Sequence, residues 1–159
     1  MKLSAKLICY HLQKSFPMDT SRLDTEPTLL CPACYEKNTP LQEGRVYLIT
    51  DPDFQPTFHH PKNILFLMIG KTYRNYELTQ PNMCVIPEDF PANTIFNKLQ
   101  EIFILYDRWN QSLMDSRLRN ASIQELLDLT ASIIPNPMML IGMDFTIIAS
   151  RGWDLGDLS

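Results

Sequence analysis

Glycine is scarce in this 159-residue chain: there are five, and none stands in a G-x-G arrangement. That excludes the glycine-rich turn by which a backbone cradles a phosphate or a dinucleotide. G-x-S-x-G and H-E-x-x-H are absent too, so two common hydrolase signatures are missing. No stretch approaches the about 18 apolar residues in a row that a membrane-crossing helix needs, and no membrane association is expected. Basic residues are thin and dispersed. Lys62, Lys71 and Arg74 come nearest to a cluster, Glu77 dilutes them, and the net charge is −4. A surface built for nucleic-acid phosphates needs clustered Lys and Arg, so this segment by itself is not expected to bind nucleic acid. The amino terminus does not read as a signal peptide. Residues 1–15 interleave lysine with apolar residues, as an amphipathic helix does, and no small-residue cleavage site follows. Four cysteines at uneven spacing without such a signal indicate reduced thiols in a cytoplasmic protein.

Apolar residues make up 45% of the chain and charged ones 20%, which is enough for a packed core. Ser4 is placed to cap a first helix whose apolar side is Leu3, Leu7, Ile8, Tyr10 and Leu12, with Pro17 as its stop. Between Pro27 and Pro91 the pattern changes to short apolar runs set apart by proline and turn residues. Residues 29–35, 46–50, 64–69 and 83–86 read as strands, the third apolar throughout, like a strand covered on both faces. Residues 70–80 read as a short helix or turn.

Residues 92–134 contain no proline and carry an apolar ladder with alternating steps of four and three: Ile95, Leu99, Ile102, Tyr106, Trp109 and Leu113. That is the seam on which two helices pack side by side. The long helix is expected to begin near Asp89, with Pro91 in its first turn and Glu88-Asp89 as dipole-favoured charges. The run Ile102-Phe103-Ile104-Leu105-Tyr106 covers every side of a helix, so burial from more than one direction is expected. One face would lie on the sheet and another on a second copy, with Leu99, Ile102 and Trp109 in the seam. Ser122 and Glu125 form an S-x-x-E capping box for a second helix. After Pro135-Asn136-Pro137, residues 138–141 and 145–149 read as a hairpin around Gly142-Met143-Asp144.

The expected fold is α+β with α/β-like character. It has a small sheet, an N-terminal helix, a long apolar helix, a short second helix and a C-terminal hairpin. Residues 1–91 form the first domain, 92–134 a helical dimerisation segment and 135–159 the start of a second, sensor-like domain.

Cys31-Pro32-Ala33-Cys34 is the first candidate for chemistry. A redox pair wants its first thiol at a helix N-terminus, and here the surroundings read as strand. A zinc site needs two further ligands. His59 and His60 are adjacent and point apart, while Cys84 and His11 stand alone. Structural thiols are therefore favoured over metal or redox use, and His59-His60 is read as an exposed loop. Tyr106 and Trp109, at helical spacing, are read as packing residues rather than a ligand pocket. No catalytic set and no metal site are assigned, no cofactor is expected, and cofactor-binding residues remain unassigned. A small enzyme or metal protein using Cys31, Cys34, His59 and His60 is the weakest of the readings.

The run Ile95-Phe96-Asn97-Lys98-Leu99-Gln100-Glu101-Ile102-Phe103, followed by Tyr106, Trp109 and Leu113, resembles a segment in the N-terminal regions of PucR-type bacterial transcriptional regulators. Residues 122–129 as a short helix, Asn136-Pro137, Asp144 in a hairpin turn and Ala149-Ser150 at its end continue the likeness. Leu41, Gly44, Val46, Tyr47 and Leu48 are similar to the strand that precedes this segment. The resemblance spans about two-thirds of the chain, from Leu41 onward, and Cys31–Cys34 lie outside it. It implies that the hairpin begins a PAS- or GAF-like sensor domain. It also implies an N-terminal regulatory region, with the DNA-reading helix-turn-helix on a part of the regulator not included in these residues. A homodimer through the long helix and an unidentified small-molecule effector follow from it. It supplies no catalytic residues. A ligand-free protein–protein assembly module is the alternative expectation.

Overall fold

The computed structural model describes residues 1–23, 27–54, 63–70, 73, 82–87 and 89–153. The short pair β1 (Leu3–Ser4) and β3 (Thr28–Leu29) is antiparallel, Leu3 opposite Leu29. Helix α1 (Ala5–Gln13) starts where Ser4 Oγ accepts the Leu7 N–H at 3.3 Å, the cap its sequence announces. Its buried side is Ala5, Ile8, Cys9 and Leu12. The helix closes when the N–H groups of Ser15 and Phe16 both reach Leu12 O, so the chain has already turned before Pro17.

Five strands form the main sheet in the order β2-β7-β6-β5-β4. Strands β4 (Cys31–Cys34), β5 (Arg45–Ile49), β6 (Ile64–Ile69) and β7 (Met83–Ile86) run parallel, and β2 (Asp19–Arg22) joins β7 antiparallel. All six residues of β6 are buried, which explains why its sequence does not alternate: parallel strands are covered on both faces. At about 1.5–3 kcal/mol for each fully buried large apolar side chain, this strand contributes far more than any single helix cap.

On one face Tyr47, Ile49, Ile64, Phe66, Met68, Met83 and Val85 pack with Phe54 and Tyr73, and half-buried Tyr35 and Leu41 join them. The other face carries Val46, Leu48, Leu65, Leu67, Cys84 and Ile86. Helix α1 meets it, because Cys9 Sγ lies 3.7 Å from Cys84 Sγ. Gly44, at φ +74°, turns the chain into β5 and bonds both ways, its N–H to Asn63 O and its carbonyl to the Leu30 N–H. The Leu30 bond splits the expected strand 29–35 into β3 and β4.

Helix α2 (Ala92–Leu118) runs for 27 residues. It begins three residues later than expected, because Pro91 stands just outside and its carbonyl accepts from Thr94 and Ile95. It ends on Asn120 at φ +53°, with Asn120 N–H bonded to Arg117 O and Ala121 N–H to Ser116 O, a Schellman closure. Helix α3 (Ile123–Leu129) opens with the full capping box and passes into a 3₁₀ turn, Thr130–Ser132. Strands β8 (Met138–Ile141) and β9 (Ile147–Arg151) make the hairpin. The fold is thus α+β, with helices, a mixed sheet and a terminal strand pair. Two compact units divide the chain, Met1–Phe103 and Ile104–Ser159, with the division inside α2.

The expected self-association seam of Leu99, Ile102 and Trp109 is corrected at its first two residues, while Trp109 is half-buried. Leu99 is 0% and Ile102 2% exposed within the single chain, as are the seam neighbours Ile95 at 0% and Tyr106 at 4%. A second copy cannot use side chains that the chain has already covered. The apolar residues that α2 leaves outside are Ile104, Met114 and Leu118. At 3.6 residues per turn they fall within about a quarter of the circumference, away from the seam, and exposed Asp107 and Gln111 share that side.

Candidate functional site

The first unit holds an open cleft of about 470 Å³ lined by Ser15, Phe16, Thr94, Asn97, Lys98 and Glu101. Each wall has a local cause. After α1 ends, Phe16 turns inward and meets Phe90 edge-on at 5.1 Å between ring centroids. Thr94, Asn97, Lys98 and Glu101 are spaced three, one and three apart, which sets them on one side of α2. Lys98 Nζ pairs with Glu101 Oε2 at 3.0 Å. Burial and then the charges of Lys14 and Lys98 hold the His11 imidazole below its ordinary value. The lining offers an ammonium, a carboxylate, hydroxyls and an amide, groups suited to hydrogen-bonding a small polar ligand.

A second, smaller cleft of about 200 Å³ lies at the β4–β5 edge and includes Cys34, Tyr35, Gln42, Arg45 and Tyr47. Arg45 is engaged twice, donating from Nη2 to Gln42 Oε1 at 3.0 Å and from Nη1 to Cys31 Sγ at 2.7 Å. Tyr47 Oη accepts the Gln42 N–H at 2.8 Å. These bonds fix the loop that closes the cleft.

Cys31 and Cys34 both lie in β4. Side chains three apart on a strand point to opposite faces, and their Cα atoms stand about 10 Å apart at the usual rise. Disulfides need Cα atoms within about 7 Å, so the two thiols serve neither as a redox pair nor as neighbouring ligands of one metal. Among the described residues no group of three or more His, Cys, Asp or Glu comes together as a metal site. His59 and His60 lie outside the described residues, as does most of the expected element at 70–80. Cys84, read from sequence as isolated, is in contact with Cys9. No spacing rule could have found that pair, because 75 positions separate the partners.

In the second unit Trp109 is half-buried and meets Tyr106 edge-on at 6.4 Å between centroids. This is the packing role expected of both. The hairpin is apolar and open: Leu140, Ile141, Ile147 and Ile148 are each 42–52% exposed and Phe145 is 89% exposed. The outer edge of β9 is occupied by a side chain. Gln124 donates from Nε2 to Ser150 O at 2.9 Å and accepts the Ser150 N–H on Oε1 at 3.2 Å, as a neighbouring strand would. No helix among the described residues is long and apolar enough to cross a membrane. The chain matches no protein-family model, no curated protein and no solved structure.

Proposed function

We propose that this chain is a regulatory module of a cytoplasmic transcriptional regulator of the PucR type, without catalytic activity of its own. It pairs with a second copy through α2 and responds to a small-molecule effector. The observation that carries this reading is the two-sided use of α2. Its seam is buried within the chain at Ile95, Leu99, Ile102 and Tyr106, and Ile104, Met114 and Leu118 are left exposed on another side, with Asp107 and Gln111 between them. Exposed apolar side chains aligned along a helix suit packing against an equivalent helix.

The cleft beside α1 supplies the link to an effector. A ligand there touches Thr94, Asn97, Lys98 and Glu101, on the same continuous helix that carries the stripe. Lys98 and Glu101 together suit a ligand with an anionic group and a donor. Such a ligand changes the module's state only if it binds two arrangements of the pair with different affinity.

The test is a carboxyl-terminal fusion to a DNA-binding domain that represses only as a dimer. Repression by the fusion, lost on Leu118→Asp, is the expected result. A fusion that represses no better than the isolated DNA-binding domain contradicts the reading. The ligand-free assembly module stays in view because the hairpin exposes apolar residues on both faces. Repression that stays constant across varied small-molecule supplements, and is unchanged by Lys98→Ala, favours it.

A further inference from the structure

Cys9 and Cys84 are the thiols that no part of the regulatory reading uses. Cys9 sits on the buried side of α1 at 2% exposure, and Cys84 lies on β7, an inner strand of the sheet, at 0%. Their sulfurs are 3.7 Å apart, a direct contact between an element near the start of the chain and one 75 positions later. A disulfide needs an S–S distance of about 2.05 Å, so the sulfurs are in contact and must still move closer to bond. Both cysteines are free.

We infer that Cys9 and Cys84 form a peroxide-responsive dithiol, which closes to a disulfide and staples α1 to β7. The chemistry balances with hydrogen peroxide as the oxidant. One sulfur attacks the peroxide O–O bond, becomes a sulfenic acid and releases one water. The neighbouring thiol then attacks that sulfur, its proton leaves with the hydroxyl as a second water, and the S–S bond forms. In all, two thiols lose two electrons and two protons, and the peroxide becomes two waters. Contact between the sulfurs makes each the resolving partner of the other, so a sulfenic acid at either position is captured within the chain.

The surroundings set the pace. The hydrogen bond with Cys9, followed by burial, pushes the Cys84 thiol up and disfavours its thiolate. Closure therefore waits on openings of the core that admit peroxide and let a thiolate form. Closing so long a loop restricts the unfolded chain, which raises the unfolding temperature. The exposed Cys34 and half-buried Cys31 cannot substitute, because β4 points them to opposite faces.

The experiment uses the Cys31→Ser/Cys34→Ser protein, whose substitutions lie outside the buried core. Reduced protein is exposed to hydrogen peroxide, unfolded in an alkylating agent and digested. The expected result is a mass lower by two hydrogens, a peptide cross-link between Cys9 and Cys84, and an unfolding temperature above that of the reduced sample. Dithiothreitol applied to unfolded protein reverses the mass change. Recovery of both cysteines as alkylated thiols or as sulfinic acids overturns the proposal. So does a cross-link that leaves the unfolding temperature unchanged or lowered.

Discussion

Leu99 and Leu118 belong to one helix and differ completely in surroundings, one 0% and the other 83% exposed. Truncating Leu99 to alanine empties a packed position, and destabilisation of ~2–5 kcal/mol is expected from the lost contacts and the cavity. Leu118→Ala should fall within about 0.5 kcal/mol of the wild type in an isolated chain. Denaturant unfolding of the two variants checks the pair, and equal losses would show that the burial pattern is wrong. His11 makes a second prediction at this scale. Burial, Lys14 and Lys98 hold its pKa below the ordinary 6.5, so the unfolded chain takes up a proton that the folded chain resists. Stability is fully present above pH 6.5 and declines as the pH falls below it towards the folded value. Denaturant midpoints measured across that range should slope more steeply for the wild type than for His11→Gln. Parallel curves would exclude this role for the imidazole.

Among the elements, helix α3 depends on its cap more than the others. None of its residues is fully buried, and its first turn is closed by Ser122 Oγ accepting the Glu125 N–H at 3.2 Å. Glu125 returns the bond to the Ser122 N–H at 2.7 Å, and that bond holds the carboxyl below the usual carboxylate range. Ser122→Ala should cost about 1 kcal/mol and speed amide exchange in the first turn of α3 while leaving β6 protected. Protection unchanged at Glu125 and Leu126 would mean the box is decorative. That cap was legible from four letters, because a capping box is a local rule. Strands β5, β6 and β7 were legible as apolar runs. Strand β2 was not: Asp-Thr-Ser-Arg has no apolar residue, and it exists only because the edge of β7 offers it bonds. Phe145 reads as strand by type. It adopts φ +63° because the Asp144 carboxylate takes the Thr146 N–H and hydroxyl and tightens the turn, so β9 starts at Ile147.

For the whole molecule, periodicity in the long helix marked a side that is buried at Ile95, Leu99, Ile102 and Tyr106, and assigned Leu99, Ile102 and Trp109 of it to a second copy. A ladder of Ile95, Leu99, Ile102 and Tyr106 looks the same whether its own chain or a second copy covers it. Burial within the single chain covers these residues and leaves Ile104, Met114 and Leu118 outside. The clefts were illegible for a similar reason. Ser15 and Glu101 line one opening because the turn after α1 lies beside α2, a fact of packing rather than spacing.

Sedimentation equilibrium of the wild-type chain and of Met114→Asp/Leu118→Asp reads out pairing through α2. A wild-type dimer is expected, and a variant at the mass of one chain with its unfolding temperature preserved. A wild type that stays at one-chain mass up to high concentration, or a variant dimer as tight as the wild type's, would contradict it.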